Sequence, residues 1–364
     1  MKNIKRLYIE QSVLNNKYAE RIISRLEIDP IIINHYKDLN ANDRQLKESI
    51  ILAEQRGRYL KPCPCTPKYI GCKYYVLELV MGCGFDCSYC YLQQYQNQPG
   101  MIVYVNLEKM FEELSARLDE DPNELTRIGT GEFTDSLFLD EYTGHTNDLT
   151  EYLANNHKNY IIEYKTKSNN IANLLKSKPT GNEVISWSLN PSRISLSDEN
   201  GAPAPEDRLE SAKKCIQHGY YIGLHFDPII YFKGYEDEYN DLIDKVYNYL
   251  DKDRILWISL GTLRFNSELK SIMEYRHPMS RIHFGEMIKG LDGKTRYFKD
   301  LRKEMYRAIT SKIKGYDKNA FIYFCMEDRE IWNDVLGLDI NNSEDVHKLF
   351  CKRRKELKNN EMLR

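Results

Sequence analysis

The sequence lacks a run of about 18 consecutive apolar residues, the length that a membrane-spanning helix needs, so no membrane partner is expected. It also lacks an excess of either charge, because 52 Lys and Arg face 54 Asp and Glu for a formal net charge of −2. No chain-wide basic field therefore indicates nucleic acid, although a local basic face remains compatible with this balance. Internal repeats at a fixed period are also missing.

The first residues, MKNIKRLYIE, contain neither an apolar h-region nor a small-residue cleavage site, so no signal peptide is expected. The chain nevertheless has nine cysteines, an odd number that fits poorly with complete pairing. Without a secretion signal, these thiols favour metal or redox chemistry over a disulfide framework. The expected compartment is the cytoplasm.

Short apolar runs alternate with amphipathic stretches between residues 74 and 265, which predicts strand–helix units and a parallel sheet. The fold class predicted is α/β, as a partial (β/α)6 TIM-type barrel, with an open sheet as the alternative. The predicted strands are Tyr75–Val80, Glu124–Gly129, Tyr160–Tyr164, Val184–Leu189, Tyr220–Phe226 and Ile255–Leu260. The predicted helices between them include Leu107–Leu118, Asn169–Leu175, Asp207–Gln217 and Asp237–Leu250.

Two further regions flank the predicted barrel. Residues 1–73 are predicted to be a helical extension that ends in a Cys- and Pro-rich loop. Two groups of apolar residues in this region follow helical spacing. They are Ile22, Ile23 and Leu26, and then Leu46, Ile50, Ile51 and Leu52. Residues 266–364 are predicted to be α-rich, interrupted by a glycine-containing turn at residues 290–294. The predicted domains are therefore 1–73, 74–265 and 266–364.

Three cysteines follow the first predicted strand at i, i+4 and i+7, namely Cys83, Cys87 and Cys90. Thiolates are the usual ligands of iron–sulfur clusters. Three of them hold three irons of a four-iron four-sulfur cubane and leave the fourth iron open to a substrate, which favours a catalytic cluster. Gly82 and Gly84 let the backbone turn at this point.

Two alternatives remain for these cysteines: a structural zinc site and ordinary buried thiols. Zinc usually needs a second pair such as C-x₂-C. Cys63, Cys65 and Cys72 lie a short distance upstream, but Cys63-Pro64-Cys65 is tight for chelation of one metal by both thiols. These upstream cysteines are interpreted as part of a loop packed against the barrel, and a second cluster or a disulfide is the alternative.

C-x₃-C-x₂-C with an aromatic residue, Tyr89, before the last cysteine resembles the signature of radical S-adenosylmethionine enzymes. The resemblance implies that the open iron chelates S-adenosylmethionine and that one electron cleaves it to a 5′-deoxyadenosyl radical. A flavodoxin- or ferredoxin-type reductant would supply that electron.

Further segments are similar to the spore photoproduct lyase family, whose members reverse a thymine dimer in DNA. They are LYIEQSVL, SYCYLQ, VYVNLEKMF, TKSNNIANLL and DRLESAKKCIQHGYYIGLHFDPI. The resemblance covers roughly residues 5–300 and is weak in the last quarter. It implies a nucleic-acid partner, with DNA as the first candidate.

The loop after the second predicted strand reads RIGTGEFTD. The resemblance implies that Glu132 binds the methionine ammonium of the cofactor, as a Gly-Gly-Glu-like motif does elsewhere in these enzymes, with Thr130 and Thr134 nearby. A carboxylate against an ammonium group is a charge-assisted hydrogen bond. A solvated loop carboxylate is the plain alternative.

The same loop departs from the family. Spore photoproduct lyases carry a cysteine here that donates a hydrogen atom to the repaired thymine, whereas this chain has no cysteine between Cys90 and Cys215. Either another group such as Tyr89 or Tyr91 supplies that hydrogen, or the substrate differs.

Other candidates follow later predicted strands. The resemblance implies that Lys167 contacts the methionine carboxylate, within a residue or two in register, and that Ser188 and Asn190 bind ribose hydroxyls. Asp227, with His225 on the same face of its strand, would be a cofactor or substrate contact. Turn chemistry and ordinary barrel-end hydrogen bonding are the alternatives.

Basic and aromatic residues interleave after the glycine turn, a pattern that suits phosphate contacts and base stacking. The alternative is an amphipathic helix with a solvated basic face. The basic residues are Lys294, Arg296, Lys299, Arg302, Lys303 and Arg307, and the aromatic ones Tyr297, Phe298 and Tyr306.

The function predicted is reductive cleavage of S-adenosylmethionine at a three-cysteine cluster by an enzyme that acts on a nucleic acid, as in repair of a DNA lesion. The alternatives are radical modification of RNA, a nucleotide or a small molecule, and a non-enzymatic iron–sulfur or zinc protein.

Overall fold

The computed structural model describes residues 4–39, 47–66, 68–95 and 100–362, with side chains described as far as residue 357. The chain divides into two compact units. The first comprises Met1–Pro62, Tyr75–Asp86 and Cys90–Glu183, and the second comprises Cys63–Tyr74, Cys87–Tyr89 and Val184–Arg364. The three domains predicted along the chain stay a prediction.

The strands are numbered in chain order. They are β1 (Arg6–Glu10), β2 (Ile31–Ile33), β3 (Ser49–Ala53), β4 (Leu60–Pro62), β5 (Tyr74–Leu77), β6 (Val80–Met81), β7 (Asp86–Cys87), β8 (Met101–Tyr104), β9 (Thr126–Gly129), β10 (Tyr160–Thr166), β11 (Glu183–Ser188), β12 (Glu199–Asn200), β13 (Tyr221–Ile229), β14 (Ile255–Thr262), β15 (Arg264–Phe265), β16 (Ile288–Lys289), β17 (Thr295–Arg296) and β18 (Ile322–Phe324).

The α-helices described with their bounds are Lys17–Leu26, Leu92–Tyr95, Leu107–Glu120, Asp140–Thr143, His145–Asn156, Ser192–Asp198, Pro205–His218, Tyr235–Tyr249, Ser267–Arg276, Lys299–Tyr316, Arg329–Leu336 and Ser343–Met362. Short 3₁₀ turns cover Gln11–Val13, Tyr36–Asp38, Leu174–Lys176 and Lys252–Arg254. In the described part of the chain, no helix is both long enough and apolar enough to cross a membrane.

The N-terminal extension is only partly helical, so the prediction for residues 1–73 is wrong in this respect. Helix Lys17–Leu26 forms as its spacing predicts, and the side chain of Asn16 caps it by accepting from the amides of Tyr18 and Ala19. The apolar run at Ile50–Leu52 instead lies in β3, which is buried along its whole length. A short continuous apolar run suits a strand covered on both faces as well as a helix, and here the strand forms. Leu46 of the predicted spacing lies outside the described residues.

The first unit contains a five-stranded sheet in the order β2-β1-β3-β8-β6. Its neighbours pair in parallel except for β6, which runs antiparallel to β8. In the same unit β9 and β10 pair in parallel, with Thr126 opposite Tyr160 and Gly129 opposite Glu163. The loops that follow these two strands therefore leave the same edge of the sheet.

The second unit contains the parallel neighbours β11, β13, β14 and β18. Helices Pro205–His218 and Tyr235–Tyr249 connect the first three of these strands, as parallel pairing requires. A small antiparallel sheet in the order β15-β17-β16 lies between β14 and helix Lys299–Tyr316 along the chain. The hydrogen-bonded turn at residues 290–294 joins β16 to β17 and confirms the predicted glycine turn.

The eight-stranded sheet has the order β18-β14-β13-β11-β10-β9-β5-β4. Each of the six predicted strands lies in it, with bounds shifted by a few residues, so the predicted alternation of strands and helices is confirmed. These strands are almost wholly buried, which explains their near-continuous apolar runs.

The predicted helix Asn169–Leu175 is wrong, because this stretch is irregular and ends in the 3₁₀ turn Leu174–Lys176. The amide of Ser168 bonds to the hydroxyl of Thr166 at 2.8 Å, and the amide of Asn170 bonds to the hydroxyl of Ser168 at 3.0 Å. Such local side-chain acceptors compete with helical hydrogen bonding.

Candidate active site

Two glycines shape the loop that carries Cys83. Gly82 has a φ of 104°, in the left-handed region that favours glycine, and its amide donates to the carbonyl oxygen of Phe133 at 2.9 Å. A Cβ atom added at Gly84 would lie 1.7 Å from the ring of Phe138. Both positions therefore require glycine for packing within the protein itself.

Lys47 anchors the same loop, since its ammonium group donates to the carbonyl oxygens of Cys83 and Phe85, each at 2.8 Å. Burial raises the pKa of the Cys83 thiol to about 11, Asp135 and Cys90 act in the same direction, and Lys47 acts against them. Cys83 is therefore a protonated thiol at neutral pH. A metal would displace this proton on binding, because the thiolate is the ligand.

The three thiols of Cys83, Cys87 and Cys90 match an iron–sulfur cluster in donor type and lie within eight residues of one loop. Within the residues that the structure describes, no three His, Cys, Asp or Glu side chains converge as a set of metal ligands. The fit thus rests on donor chemistry and chain spacing.

The loop after β9 brings Glu132 to the end of β10. Lys165 donates to the Glu132 carboxylate at 2.9 Å, and about a quarter of each side chain is exposed. A Cβ atom at Gly131 would lie 2.8 Å from the Cβ of Lys165, so glycine permits this approach. The hydroxyl of Tyr91 donates to the main-chain oxygen of Glu132. Glu132 is thus a positioned carboxylate that already holds an ammonium group.

Asp135 is a buried carboxylate that the sequence analysis did not select. Its oxygens accept from the hydroxyl of Thr166 at 2.7 Å, the amide of Lys167 at 2.6 Å and the amide of Leu137 at 3.1 Å. These bonds tie the loop after β9 to the end of β10. Thr134, which precedes Asp135, donates to its carbonyl oxygen at 3.4 Å.

Thr130 closes the same loop, because its hydroxyl donates to that of Ser136 at 2.8 Å. Glu132, Thr130 and Thr134 therefore belong to one loop of the first unit, and hydrogen bonds join this loop to β10. The lysine that reaches Glu132 is Lys165 rather than Lys167, and Lys167 uses its main-chain amide to hold Asp135.

Asp227 lies near the end of β13 in the second unit and forms a two-pronged ion pair with Arg264, with N···O distances of 3.0 and 3.1 Å. Burial opposes the charge of Arg264, but Asp227 outweighs it and raises the pKa of the guanidinium above its usual value. The Arg264 guanidinium also lies 3.3 Å from the sulfur of Cys325. Both carboxylate oxygens of Asp227 are thus engaged within the protein.

Asn190 and Tyr89 belong to one hydrogen-bonded network in the second unit. The hydroxyl of Tyr89 donates to the carboxylate of Glu199, and the amide nitrogen of Asn190 donates to the same oxygen at 3.1 Å. The side-chain oxygen of Asn190 accepts from the hydroxyl of Tyr239 at 2.8 Å. The network occupies both ends of the Asn190 side chain, which is 1 % exposed.

Ser188 is the last residue of β11, and His225 lies within β13. Both side chains are buried. Their strands pair in parallel with these two residues opposite each other. The carbonyl oxygen of His225 accepts from the amide of Leu189 at 2.9 Å. Ser188 therefore lies at the carboxyl end of its strand, the edge at which α/β sheets usually bind ligands, and His225 lies opposite it in the middle of β13.

The family model for spore photoproduct lyase matches residues 69–325, well over half of the chain. The chain belongs to the spore photoproduct lyase family. It is accordingly a radical S-adenosylmethionine enzyme, as the cysteine spacing predicts.

Two relatives show how far the sequence of this chain has diverged within the family. The spore photoproduct lyase of Bacillus subtilis (strain 168) is 26 % identical over 259 residues, which cover 69 % of this chain and 75 % of the relative. The spore photoproduct lyase of Clostridium acetobutylicum is 24 % identical over 285 residues, which cover 76 % of this chain and 82 % of the relative.

Solved structures of the family share the fold. A spore photoproduct lyase double mutant with bound AdoMet and dinucleoside spore photoproduct gives a TM-score of 0.80 at 22 % identity, over 89 % of this chain and 100 % of that one. A second structure, a spore photoproduct lyase complexed with dinucleoside spore photoproduct, gives 0.79 at the same identity and coverage. The predicted α/β class and partial-barrel form of the eight-stranded sheet are thereby confirmed.

In this member of the spore photoproduct lyase family, the basic segment does not form the solvated basic face that its sequence left open. Arg302 pairs with Glu327, and both side chains are at most 3 % exposed. Arg296 pairs with Asp292 and is also buried. The further carboxylate partners are Asp328 and Glu330 for Lys299, and Glu330 and Asp334 for Lys303. Carboxylates therefore neutralise most of this segment, and Arg296 and Arg302 form buried ion pairs within the second unit.

The aromatic residues of that segment divide in the same way, since Tyr297 and Tyr306 are buried and Phe298 is exposed. Large exposed side chains precede it along the chain, namely Tyr275, Met279, Phe284, Ile288 and Leu291. The guanidinium of Arg281 lies 5.4 Å from the centre of the Phe284 ring. Exposed stacking groups beside basic residues therefore occupy residues 275–298, slightly earlier than the sequence pattern suggested.

Sequence reasoning missed five residues that contact candidate site residues or the cysteine loop, although Lys165 lay within the stated register uncertainty. They are Lys47, Asp135 and Lys165 in the first unit, and Glu199 and Arg264 in the second. The signal for Lys165 and Asp135 was present, because each lies within three residues of a selected residue on a strand-end loop. Lys47 and Arg264 are distant in sequence from the groups they contact, so local spacing contained no signal for them.

Proposed function

We propose that this enzyme binds a four-iron four-sulfur cluster through Cys83, Cys87 and Cys90, cleaves S-adenosylmethionine reductively, and acts on a nucleic acid. The observation that carries the proposal is the C-x₃-C-x₂-C loop after β5, with an aromatic residue before its last cysteine, inside the region that matches the family. When bound, the cluster would supply the electron for cofactor cleavage through its one iron without a cysteine ligand.

The contribution of the chain at the cluster is the loop itself. Cys83 would lose its proton when it binds the cluster. Burial raises the pKa of its thiol, and the ammonium of Lys47 acts against this rise. The same ammonium bonds to the main chain on either side of Gly84. Lys47 thus favours the anionic form of the first ligand and limits the movement of its backbone.

For the cofactor, Glu132 is the proposed partner of the methionine ammonium. Its carboxylate accepts a hydrogen bond from the Lys165 ammonium, so an ammonium from the cofactor would replace a group of the same charge and donor type. Thr130, Thr134 and Lys167 extend this polar loop, with Lys167 proposed for the methionine carboxylate. Asp135 would act indirectly by holding the loop at the end of β10.

For the nucleoside part of the cofactor, the proposed contacts are Ser188, Asn190 and Asp227. Ser188 and Asp227 lie toward the carboxyl ends of β11 and β13, where parallel sheets bind ligands. The side-chain bonds of Asn190 and Asp227 favour a role in shaping this edge over direct ribose contact. Tyr89 and Tyr91 remain the proposed hydrogen-atom donors.

The substrate proposal is a nucleic acid with a thymine-type lesion. The lyases named above act on spore photoproduct, and a solved relative holds its dinucleoside form. In this chain, the exposed Phe284 with the Arg281 guanidinium above its ring supports the proposal, because bases stack on such groups. The reductant would be of the flavodoxin or ferredoxin type.

A second candidate is the same radical chemistry on a different substrate, such as RNA or a modified nucleotide. The absence of any cysteine from residue 91 to residue 214 favours it. A thiol can quench a carbon radical by giving up a hydrogen atom, whereas the carboxylate of Glu132 cannot.

The test is anaerobic reconstitution of the full chain with iron and sulfide. We expect about four irons per chain, an electron paramagnetic resonance signal that S-adenosylmethionine shifts, and release of 5′-deoxyadenosine under reduction. Cys87→Ala should lose the signal, and Cys351→Ala is the matched control. Wild-type protein without a cofactor-sensitive cluster would overturn the proposal.

The substrate is decided by incubation with dinucleoside spore photoproduct and, separately, with deuterated DNA and RNA. Formation of thymidine from the dinucleoside supports lesion repair. Cofactor cleavage without thymidine formation, together with deuterium transfer into 5′-deoxyadenosine from RNA alone, would replace it with the second candidate.

A further inference from the structure

Two adjacent acidic residues contact two adjacent residues of the cysteine loop. Asp198 and Glu199 stand at the end of helix Ser192–Asp198, and Ser88 and Tyr89 stand between the second and third cysteines. The amide of Ser88 donates to the carbonyl oxygen of Asp198 at 2.8 Å, and its hydroxyl donates to the Asp198 carboxylate at 2.5 Å. The hydroxyl of Tyr89 donates to the Glu199 carboxylate.

A buried ion pair fixes Glu199 in turn. Its second oxygen lies 2.6 Å from the guanidinium of Arg208, and both side chains are fully buried. Arg208 also donates to the carbonyl oxygens of Ser188 and Pro203, each at 2.9 Å. A guanidinium bonded in a fork to several acceptors has one geometry, so Glu199 has little freedom to move.

Neighbouring polar groups complete the arrangement. Ser280 donates to the Asp198 carboxylate at 2.5 Å, and Asn190 donates to the Glu199 carboxylate at 3.1 Å. Each acidic side chain therefore accepts from the cysteine loop and from a second element of the same unit. At least two donors satisfy each buried carboxylate, as burial of a charge requires.

We propose that Glu199, held by Arg208, is a positioning residue that fixes Tyr89 and so sets the direction of Cys87 and Cys90, with Asp198 doing the same through Ser88. The inference rests on the proposed function in that those cysteines are taken as cluster ligands. Groups behind the ligands commonly orient them and tune the metal. Glu199 would do so through the tyrosine between them, because it accepts from the hydroxyl of Tyr89.

The test compares three variants in the full chain. Tyr89→Phe removes the hydroxyl that donates to Glu199 and that also accepts from Asn190 at 3.4 Å. Glu199→Leu combined with Arg208→Met removes the acceptor and its counter-charge together, a replacement that a buried pair often tolerates. The third variant combines all three changes. Glu206→Gln is the matched control, because it removes a carboxylate whose lysine partner is solvent-exposed.

The first readout is hydrogen exchange of the peptide that contains Ser88 in metal-free protein. We expect exchange to become roughly tenfold faster in Tyr89→Phe and in the Glu199/Arg208 variant, as loss of a charge-assisted bond predicts. The triple variant should show little further change, since all three substitutions break one connection. The control should match the wild type.

The second readout is the spectrum and midpoint potential of the reconstituted cluster, which a purely structural role elsewhere would leave unchanged. All three variants should alter the line shape of the cluster spectrum and shift its midpoint potential. Unchanged exchange and spectra in folded Glu199/Arg208 protein would overturn the inference. A wild-type chain that binds no cluster would instead overturn the proposed function, while hydrogen exchange would still report on the loop.

Discussion

Lys165 donates a hydrogen bond to the carboxylate of Glu132 across 2.9 Å, at a point where the loop after β9 meets the end of β10. The glycine next to Glu132 permits the approach, because a Cβ atom there would overlap Lys165. The carboxylate proposed for the cofactor ammonium is therefore shaped to accept an ammonium group before any cofactor binds. Binding would exchange one cationic donor for another.

Glu132→Gln should weaken binding of S-adenosylmethionine to the reconstituted enzyme. The amide keeps the size of the side chain but loses the charge, and hydrogen bonds to charged groups contribute about 1.5–3 kcal/mol. We therefore expect the dissociation constant from calorimetry to rise roughly 10- to 100-fold. Glu120→Gln, in a carboxylate that is 68 % exposed, is the control and should bind as the wild type does. Equal affinity of both variants would contradict the role of Glu132.

Asp135→Asn should loosen the loop that carries Glu132. The carboxylate accepts from two main-chain amides and one hydroxyl, and an amide nitrogen in its place would face a donor. We expect the free energy of unfolding from urea titration to fall by about 1–3 kcal/mol. S-adenosylmethionine affinity should fall with it.

Asp119→Asn is a suitable control for that change, because Asp119 is exposed on helix Leu107–Glu120 and the substitution should leave both quantities unchanged. An Asp135→Asn protein as stable as the wild type would show that the three bonds do not hold the loop.

The buried strands were predictable because each is a short apolar run bounded by polar residues. Ile255–Thr262 is buried along its full length, and a helix between flanking turns would need more residues. The same rule failed for Ile50–Leu52, where a run of three apolar residues also fits one side of a helix. Pairing of β3 with β1 and β8 decides the outcome, and those partners lie more than 40 residues away on either side.

The site was predictable only where the chemistry lies in consecutive residues. The cysteine loop and the Glu132 loop each carry their pattern locally. Lys47 and Glu199 reach the cysteine loop from about 40 and 110 residues away, and only the fold brings them there. The basic segment shows the converse. Its residue types suggest phosphate contacts, but Arg302 and Lys303 form ion pairs with Glu327 and Glu330 instead.

His145 should make the protein sensitive to acid. Burial lowers its pKa from 6.5 to about 4, with Arg21 acting in the same direction and Asp148 against it. The folded state therefore resists protonation that the unfolded chain accepts. The free energy of unfolding is therefore unaffected by protonation of His145 above pH 6.5. It falls as the pH drops from 6.5 towards 4, by up to about 3 kcal/mol in all.

The measurement is the free energy of unfolding between pH 7 and pH 4 for the wild type and His145→Gln. The variant should lose less stability over this range, because the titrating group is gone. His218→Gln, at the end of helix Pro205–His218, is the control and should follow the wild type. Parallel curves for the wild type and His145→Gln would contradict the assignment.

Arg302 and Arg281 should separate structural from nucleic-acid roles in the C-terminal region. Arg302→Met leaves the Glu327 carboxylate buried without its guanidinium, so the free energy of unfolding should fall by about 3–5 kcal/mol.

Arg281 is exposed, and Arg281→Gln should change the free energy of unfolding by less than about 0.5 kcal/mol. It should instead weaken DNA binding and reduce the salt dependence of log K by about one phosphate contact. A stable Arg302→Met protein with weakened DNA binding would reverse this assignment.

Phe284 should contribute stacking to nucleic-acid binding. Its side chain is 56 % exposed, and the guanidinium of Arg281 lies 5.4 Å from its ring centre, so an aromatic ring and a positive charge lie side by side. Stacking of one base on an aromatic side chain is worth about 1–3 kcal/mol, so Phe284→Ala should raise the dissociation constant for a single-stranded oligonucleotide roughly 5- to 150-fold. Leu196→Ala removes a side chain that is 79 % exposed on helix Ser192–Asp198 and is the matched control for lost apolar surface. Because Phe284 packs little against the core, its removal should leave the unfolding midpoint unchanged, and equal oligonucleotide affinity in the two variants would exclude Phe284 from the binding surface.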